Sequence, residues 1–353
     1  MQICVERFTV TKRSPLTISR GTNHGNTNLW LRIFAEGYEG WGEASPVVHG
    51  AHAQTTEALA QALESIGTQL AGCHPLDRQQ IADRVRSLPS AARAAIDLAL
   101  WDWAGKRSGL PLWQLWGGDR ERIPPISVTI GIGSPAAARE RVQQWRSVIE
   151  TPWLKLKLGS PEGLAADRAL VEAVLAEAPT AKILVDANGG WDLAGAIEMA
   201  RWLADRGVLY LEQPLPVGQE TQLAELKARS PLPIFVDESC FDERDIPQLA
   251  PHIHGINIKL MKSGGLTAAT RLVATARACG LQVMFGCYSD SALANTAALQ
   301  LGPWADYLDL DSHLNLMDDP FVGAAIAPGG RLLPPIEPGL GVQRRDQPAI
   351  EEP

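Results

Sequence analysis

Lys157, Asp186, Glu212, Asp237 and Lys259 follow one another at intervals of 22 to 29 residues in a chain of 353. Each closes a short apolar stretch: WLKLKLG, KILVDAN, VLYLEQP, PIFVDES and GINIKLM. Three carboxylates brought to one place repel one another unless a cation stands between them. An all-oxygen donor set without His or Cys favours a hard divalent ion, and Mg²⁺ suits a site that keeps positions open for substrate oxygens. Lysines on either side of such a set supply groups that can take and return a proton. An Asp after a strand also serves as a plain helix N-cap, and a lysine also snorkels to solvent. It is the recurrence on consecutive stretches that favours the chemical reading.

The alternation in WLKLKLG sends Lys155 and Lys157 to one face and Leu154, Leu156 and Leu158 to the other. If the leucines pack under helices, the lysines point inward. Lys157 then lies nearer the open end as a candidate base. Lys155, one layer deeper, is expected to lower its neighbour's pKa by like-charge repulsion.

Such spacing needs elements that deliver one residue per strand–helix unit. From ISVTIGI to DYLDLDS, eight short apolar stretches alternate mostly with helix-sized inserts, the pattern of a parallel sheet closing into a barrel. Chemistry then gathers where strands pass into their following loops. Before this lie strand-like stretches, a helical region from about residue 54 to 88 broken at GCHP, and the Ala/Leu-rich run SAARAAIDLALWDWAGKRSG, which stops at Gly109 and Pro111. The expected organisation is an α+β capping domain over residues 1–122 and a (β/α)7β TIM-like barrel over 123–326. A Pro/Gly-rich tail, 327–353, is expected to return to the cap.

With 32 basic and 40 acidic residues the net charge is −8 and the pI near 5.5, which argues against nucleic acid or an anionic membrane as partner. No uninterrupted apolar window reaches membrane-spanning length, and no signal peptide is apparent. Five scattered cysteines without CxxC spacing suit a reducing compartment, so a cytoplasmic location is expected. Among the histidines, His252 and His254 precede the sixth barrel strand and read as loop residues. His49 and His52 fall in a cap loop that could cover the barrel mouth. His24 and His313 are possible substrate neighbours, and His74 reads as a surface residue.

The KxK of WLKLKLG, the acids of LVDANGGW, YLEQP and FVDES, and the Lys of INIKLMKSGG resemble the enolase superfamily, in its muconate-lactonizing subgroup. WGEASP, ALWDWAGKRSGLPLWQLWGG and PGLGV extend the resemblance over essentially the whole chain. It implies one Mg²⁺ per subunit on Asp186, Glu212 and Asp237. It also implies Lys157 and Lys259 as opposed acid/base catalysts and Lys155 as a stabilising charge for an enolate formed at the substrate α-carbon. DLDSHL is similar to the eighth strand of dipeptide epimerases, where Asp309 and Asp311 would bind a substrate ammonium, and SVTIGIGSP is similar in its first strand, with Thr129 facing the site. Arg20 in the capping loop could pair with an acidic side chain, whereas Tyr288 and Asp290 depart from the pattern and could reshape the pocket. The activity implied is Mg²⁺-dependent epimerisation at the C-terminal residue of a dipeptide by a homo-oligomer. The nearest alternatives are an o-succinylbenzoate synthase or N-acylamino acid racemase. A sugar-acid dehydratase, or a barrel that binds metal without catalysis, is more remote.

Overall fold

The computed structural model describes residues 1–47 and 53–345; His49 and His52 lie outside them. The chain opens with three antiparallel strands, β1 (Gln2–Ile18), β2 (Gly21–Ala35) and β3 (Tyr38–Ala44), in the order β1-β2-β3. Three helices follow: α1 (Thr56–Leu70), α2 (Arg78–Val85) and α3 (Ser90–Ser108). Thr55 caps α1 by accepting from Ala58 N at 3.2 Å, and α3 ends on Gly109 at φ 72°, a left-handed stop that glycine adopts without steric cost. α3 lies directly on β3. A Cβ at Gly42 would come within 1.9 Å of the Ala95 carbonyl oxygen, so glycine there is what permits the helix to approach.

The barrel is one eight-stranded parallel sheet: β4 (Ser127–Ile130), β5 (Trp153–Lys157), β6 (Lys182–Asp186), β7 (Leu211–Glu212), β8 (Ile234–Val236), β9 (Gly255–Ile258), β10 (Gln282–Gly286) and β11 (Tyr307–Asp309), hydrogen-bonded in sequence order. A parallel bridge between Ile126 and Leu308 brings the last strand back to the first. The seven crossovers carry α4 (Pro135–Arg146), α5 (Leu164–Glu177), α6 (Leu193–Ala204), α7 (Leu223–Arg229), the single turn α8 (Ile246–Leu249), α9 (Leu266–Ala278) and α10 (Ala292–Leu299). Serine and aspartate open several of them: Ser134 caps α4 ahead of Pro135, and Asp192 caps α6. The strand residues facing outward join the helices in one continuous core. Leu154, Leu156 and Leu158 are buried in it with Val142, Trp145 and Val174.

After β11 the chain returns to the cap. Leu112 N donates to the Gly339 carbonyl at 3.1 Å, and Leu340 N to Asp102 Oδ1 at 2.7 Å. The β1–β2 hairpin in turn reaches over the barrel mouth. Thr11 N donates to Asp318 Oδ1 at 2.6 Å, Ile132 N to the Thr17 carbonyl at 2.9 Å, and Ser19 Oγ to the Asn188 carbonyl at 3.0 Å. No described helix is long and apolar enough to cross a membrane.

Candidate active site

Period-2 alternation sets which side chains enter the barrel. In β5 it delivers Lys155 and Lys157, and β5 pairs with β6 so that Lys157 stands beside Asp186. Asp186 is in turn paired with Glu212 on β7. Asp237 follows directly on β8 and Lys259 on β9. All six side chains are buried: the three acids and Lys155 are 0% exposed, Lys157 7% and Lys259 8%. Strand order places β5 and β9 four positions apart in a ring of eight, so Lys157 and Lys259 face each other across the opening.

Each carboxylate is engaged by ammonium groups. Lys157 Nζ is 2.7 Å from Asp186 Oδ2, and Lys259 Nζ 2.7 Å from Asp237 Oδ2. Lys155 Nζ lies 2.6 Å from Glu212 Oε2, 2.6 Å from Asp309 Oδ2 and 3.7 Å from Asp186 Oδ2. This corrects the expectation for Lys155. Its charge is matched by three carboxylates, so it does not act on Lys157 as an uncompensated like charge. Burial alone would discharge it, but Asp309, Glu212 and Asp186 outweigh burial and hold its pKa well above the ordinary lysine value.

The acids divide by their partners. Burial raises the Asp237 pKa, but Lys259 and Lys262 win and it ends well below the ordinary range. Asp186 is lowered in the same way by Lys157 and Lys155, against burial. Glu212 goes the other way, pushed up to about 7 by burial and by Asp186, with Lys155 opposing.

As placed, no three acidic, His or Cys side chains among the described residues form a group that could hold a metal ion; the carboxylates are turned onto the lysines. The donor set nevertheless fits Mg²⁺. The three carboxylates end adjacent strands and offer only oxygen. Glu212 Oε2 and Asp237 Oδ2 contact their lysines outside hydrogen-bonding geometry, which leaves acceptor capacity directed inward.

The remaining expected residues separate into those that reach the opening and those that do not. A cavity of about 130 Å³ under the cap hairpin is lined by Lys157, Lys259, Tyr288, Ile18 and Asn23, with the Lys259 ammonium 4.5 Å from the Tyr288 ring centre. A second cavity of about 240 Å³ adjoins it at Lys157 and Tyr288 and is lined by Thr129, Asp309 and Asp311. Asp309 is largely committed to Lys155 and to Ser127 Oγ at 3.1 Å, while Asp311 accepts from Thr129 N at 2.7 Å. Arg20 also lines the smaller cavity, with its guanidinium 2.5 Å from Glu238 Oε1 and 2.7 Å from the Asn188 carbonyl. Asp290 accepts from Tyr288 N at 3.1 Å and lines neither cavity.

Of the histidines, His254 Nδ1 accepts from Ile234 N at 2.9 Å at the N-terminal end of β8, away from the mouth. His24 is exposed, and His74 lies 2.9 Å from Glu36. His313 lines neither cavity; burial pushes its pKa down to about 4.

Lys262 and Glu43 are among the residues that the sequence alone does not single out. Lys262, 1% exposed, donates to Asp237 Oδ1 at 2.7 Å, to the Asp237 carbonyl at 2.6 Å and to the Asn257 carbonyl at 2.9 Å, and so fixes the Asp237 carboxylate. Glu43, in WGEASP, is fully buried and accepts from Asn28 Nδ2, Ser291 N and Ala294 N at 2.7 to 3.1 Å, joining the cap to the start of α10. INIKLMKSGG contains the Lys262 signal, three residues after Lys259.

Residues 2–117 match the family described as mandelate racemase/muconate lactonizing enzyme, N-terminal domain, and residues 136–347 the one described as enolase C-terminal domain-like. The chain is 44% identical over 352 residues to a hydrophobic dipeptide epimerase of Flavobacteria bacterium (strain MS024-2A), covering 98% of this chain and 99% of that one. It is 45% identical over 335 residues to a protein of the same name from Roseobacter litoralis, covering 94% and 95%. Among solved structures it is similar to the dipeptide epimerase from Cytophaga hutchinsonii complexed with Mg and D-Ala-L-Val, at TM-score 0.92 and 26% identity, covering 98% of this chain and 96% of that one.

Proposed function

The chain belongs to the mandelate racemase/muconate lactonizing enzyme family of the enolase superfamily, and from that premise we propose that it is a Mg²⁺-dependent dipeptide epimerase. The reaction inverts the α-carbon of the C-terminal residue through an enolate. The observation that carries this reading is the pair Lys157 and Lys259, on strands four apart and lining one small cavity. Two amines on opposite faces of one carbon are what a proton transfer with inversion requires.

Asp186, Glu212 and Asp237 would hold Mg²⁺, which when bound would supply a Lewis acid for the substrate carboxylate. Lys157 and Lys259 serve as base and acid, exchanging roles with the direction of reaction. Lys259 is held protonated: burial opposes its charge, but Asp237, Tyr288 and Glu238 outweigh burial and raise its pKa well above the ordinary value. Lys155 keeps a fixed positive charge one layer below the developing enolate. Lys262 and Asn257 orient Asp237 and Glu212, the latter through Asn257 Nδ2 at 2.7 Å from Glu212 Oε1.

Asp311 takes the substrate ammonium, with Thr129 holding its carboxylate. Asp309 is a weaker candidate for that role than the sequence suggested, because Lys155 already neutralises it. The Arg20 guanidinium is engaged by Glu238, and a cavity of about 580 Å³ beside it is lined by Val47, Pro161, Pro216, Val217 and Phe241 together with Arg20, Glu238 and Lys262. Its apolar wall can take an apolar side chain at the reacting residue, in keeping with the names of the two relatives.

The test is incubation with Mg²⁺ and L,L-dipeptides in D₂O, read by mass spectrometry. Deuterium at the C-terminal α-carbon, abolished by chelation and restored by Mg²⁺, is expected. Absence of exchange with every dipeptide overturns the assignment.

A further inference from the structure

β1 and β2 lose register between Thr11 and Leu16, and Lys12 stands at that break. Its side chain is 6% exposed, and among the described residues its ammonium has neither a hydrogen-bond nor an ion-pair partner. Yet it lines both the cavity of about 240 Å³ and the one of about 130 Å³, which adjoin at Lys157, Cys287 and Tyr288. A buried ammonium without a partner is costly. Burial pulls its pKa below the ordinary lysine value, against Cys287, Asp311 and Asp290.

The charges around it are otherwise accounted for. Asp309 is matched by Lys155, and in the epimerase reading Asp311 is matched by the substrate ammonium. Burial raises the Asp290 and Cys287 pKa values, the thiol to about 12, so the thiol carries no charge near neutrality. Arg141 adds a second positive group to the same cavity, its Nη1 3.2 Å from Gln144 Oε1 and its guanidinium 4.2 Å from the Trp145 ring centre. A neutral carbonyl would leave the Lys12 charge uncompensated; an anion would not.

Position identifies which part of the substrate meets it. With the reacting carboxylate facing the Mg²⁺ that Asp186, Glu212 and Asp237 would hold, its α-carbon between Lys157 and Lys259, and the dipeptide ammonium on Asp311, the acyl side of the substrate extends toward β11 and β4. That is the side the larger cavity occupies.

We infer that Lys12 is a specificity-determining residue that receives a carboxylate carried on the acyl side of the reacting residue. The source is the side chain of an N-terminal Asp or Glu in a dipeptide, whose ammonium occupies Asp311; an N-succinyl compound has no ammonium, leaves Asp311 to face Lys12 and serves as the contrast. The inference rests on the epimerase reading for the orientation of the substrate.

The experiment compares matched pairs: L-Glu-L-Leu against L-Gln-L-Leu, and N-succinyl-L-Leu against N-succinamoyl-L-Leu. α-Deuteration in D₂O with Mg²⁺ gives kcat/KM for each. The carboxylate member of the dipeptide pair is expected to win by about 10-fold or more, through KM, and the N-succinyl pair to show a ratio near one. In Lys12→Met the ratio falls to near one, and in Lys12→Arg it returns, which separates lost recognition from misfolding. A ratio near one for the dipeptide pair in the native protein, or one that survives Lys12→Met, overturns the inference. If no compound is deuterated, the epimerase reading is what fails. Titration calorimetry of the same pairs on the Mg²⁺-loaded protein then reads the Lys12 ratio directly, with the same two outcomes.

Discussion

Two layers line the inside of the barrel one pleat apart, and their chemistry is opposite. The lower layer is Leu184, Tyr210, Phe235 and Met284, a small core separate from the main one, with Trp153 and Tyr307 packed on it. Its rings meet at centroid distances of 4.5 to 5.6 Å. Two residues further along the same strands stand Asp186 above Leu184, Glu212 above Tyr210, Asp237 above Phe235, Lys155 above Trp153 and Asp309 above Tyr307. The lower layer is held by shape and by exclusion of water, and it seals the barrel floor. The upper layer is held by charge pairing, which gains strength because the sealed floor keeps its surroundings at low dielectric. The same pleat supplies rigidity in one layer and reactivity in the next.

The largest expected effect comes from breaking the ionic layer at its centre. Lys155→Met leaves Asp309 and Glu212 buried without their shared counter-charge, and urea denaturation is expected to show a loss of about 3–5 kcal/mol, with epimerisation lost as well. Breaking the apolar layer should separate the two functions. Phe235→Ala opens a cavity worth about 3–4 kcal/mol, yet the fraction that remains folded should exchange α-protons with a nearly native KM. A KM shifted as strongly as the stability would show that the floor positions substrate directly. Gly255→Ala is milder: a Cβ there would meet the Phe235 ring at 2.2 Å, and overpacking is expected to cost about 1–3 kcal/mol by the same denaturation assay.

A buried carboxyl without a lysine sharpens the contrast further. Asp186, Asp237 and Asp309 have their pKa values lowered by lysines against the effect of burial, whereas Glu43 is pushed up to about 8 by burial and by Asp290. Its folded-state pKa is above its unfolded one. The stability contributed by that proton is therefore complete below the unfolded carboxyl value near 4.5 and is lost as pH rises to about 8. Melting curves should show the native protein losing up to about 1.4 kcal/mol per pH unit across that window, and Glu43→Gln losing less. Equal slopes would mean that the donors around Glu43 hold it ionised.

The layered barrel was largely legible in the sequence because both of its determinants are local. Period-2 alternation assigns faces in WLKLKLG, and the intervals between strand ends assign one residue per βα unit. What was not legible depends on partners distant in sequence. The sequence offers Arg20 for an acidic substrate side chain; it does line the small cavity, but Glu238, 218 positions away, also engages its guanidinium. Lys155 was read as a repulsive neighbour, because nothing local shows that Glu212 and Asp309 converge on it. Lys262 reaches Asp237 only because the chain turns through Leu260–Ser263 immediately after β9, a single turn too short to leave a periodic signature. Lys12 gave no signal at all, since its burial depends on the hairpin folding over the mouth.

The central claim, that Lys157 and Lys259 divide the two faces of one α-carbon, is tested most directly by α-proton exchange of each epimer separately in D₂O with Mg²⁺, using Lys157→Ala and Lys259→Ala. Each variant is predicted to lose epimerisation by about 10³-fold or more. Each should still exchange the α-proton of one epimer, and the epimer should be the opposite one in the two variants. Exchange of both epimers by either variant, or loss of the same epimer in both, would contradict the account.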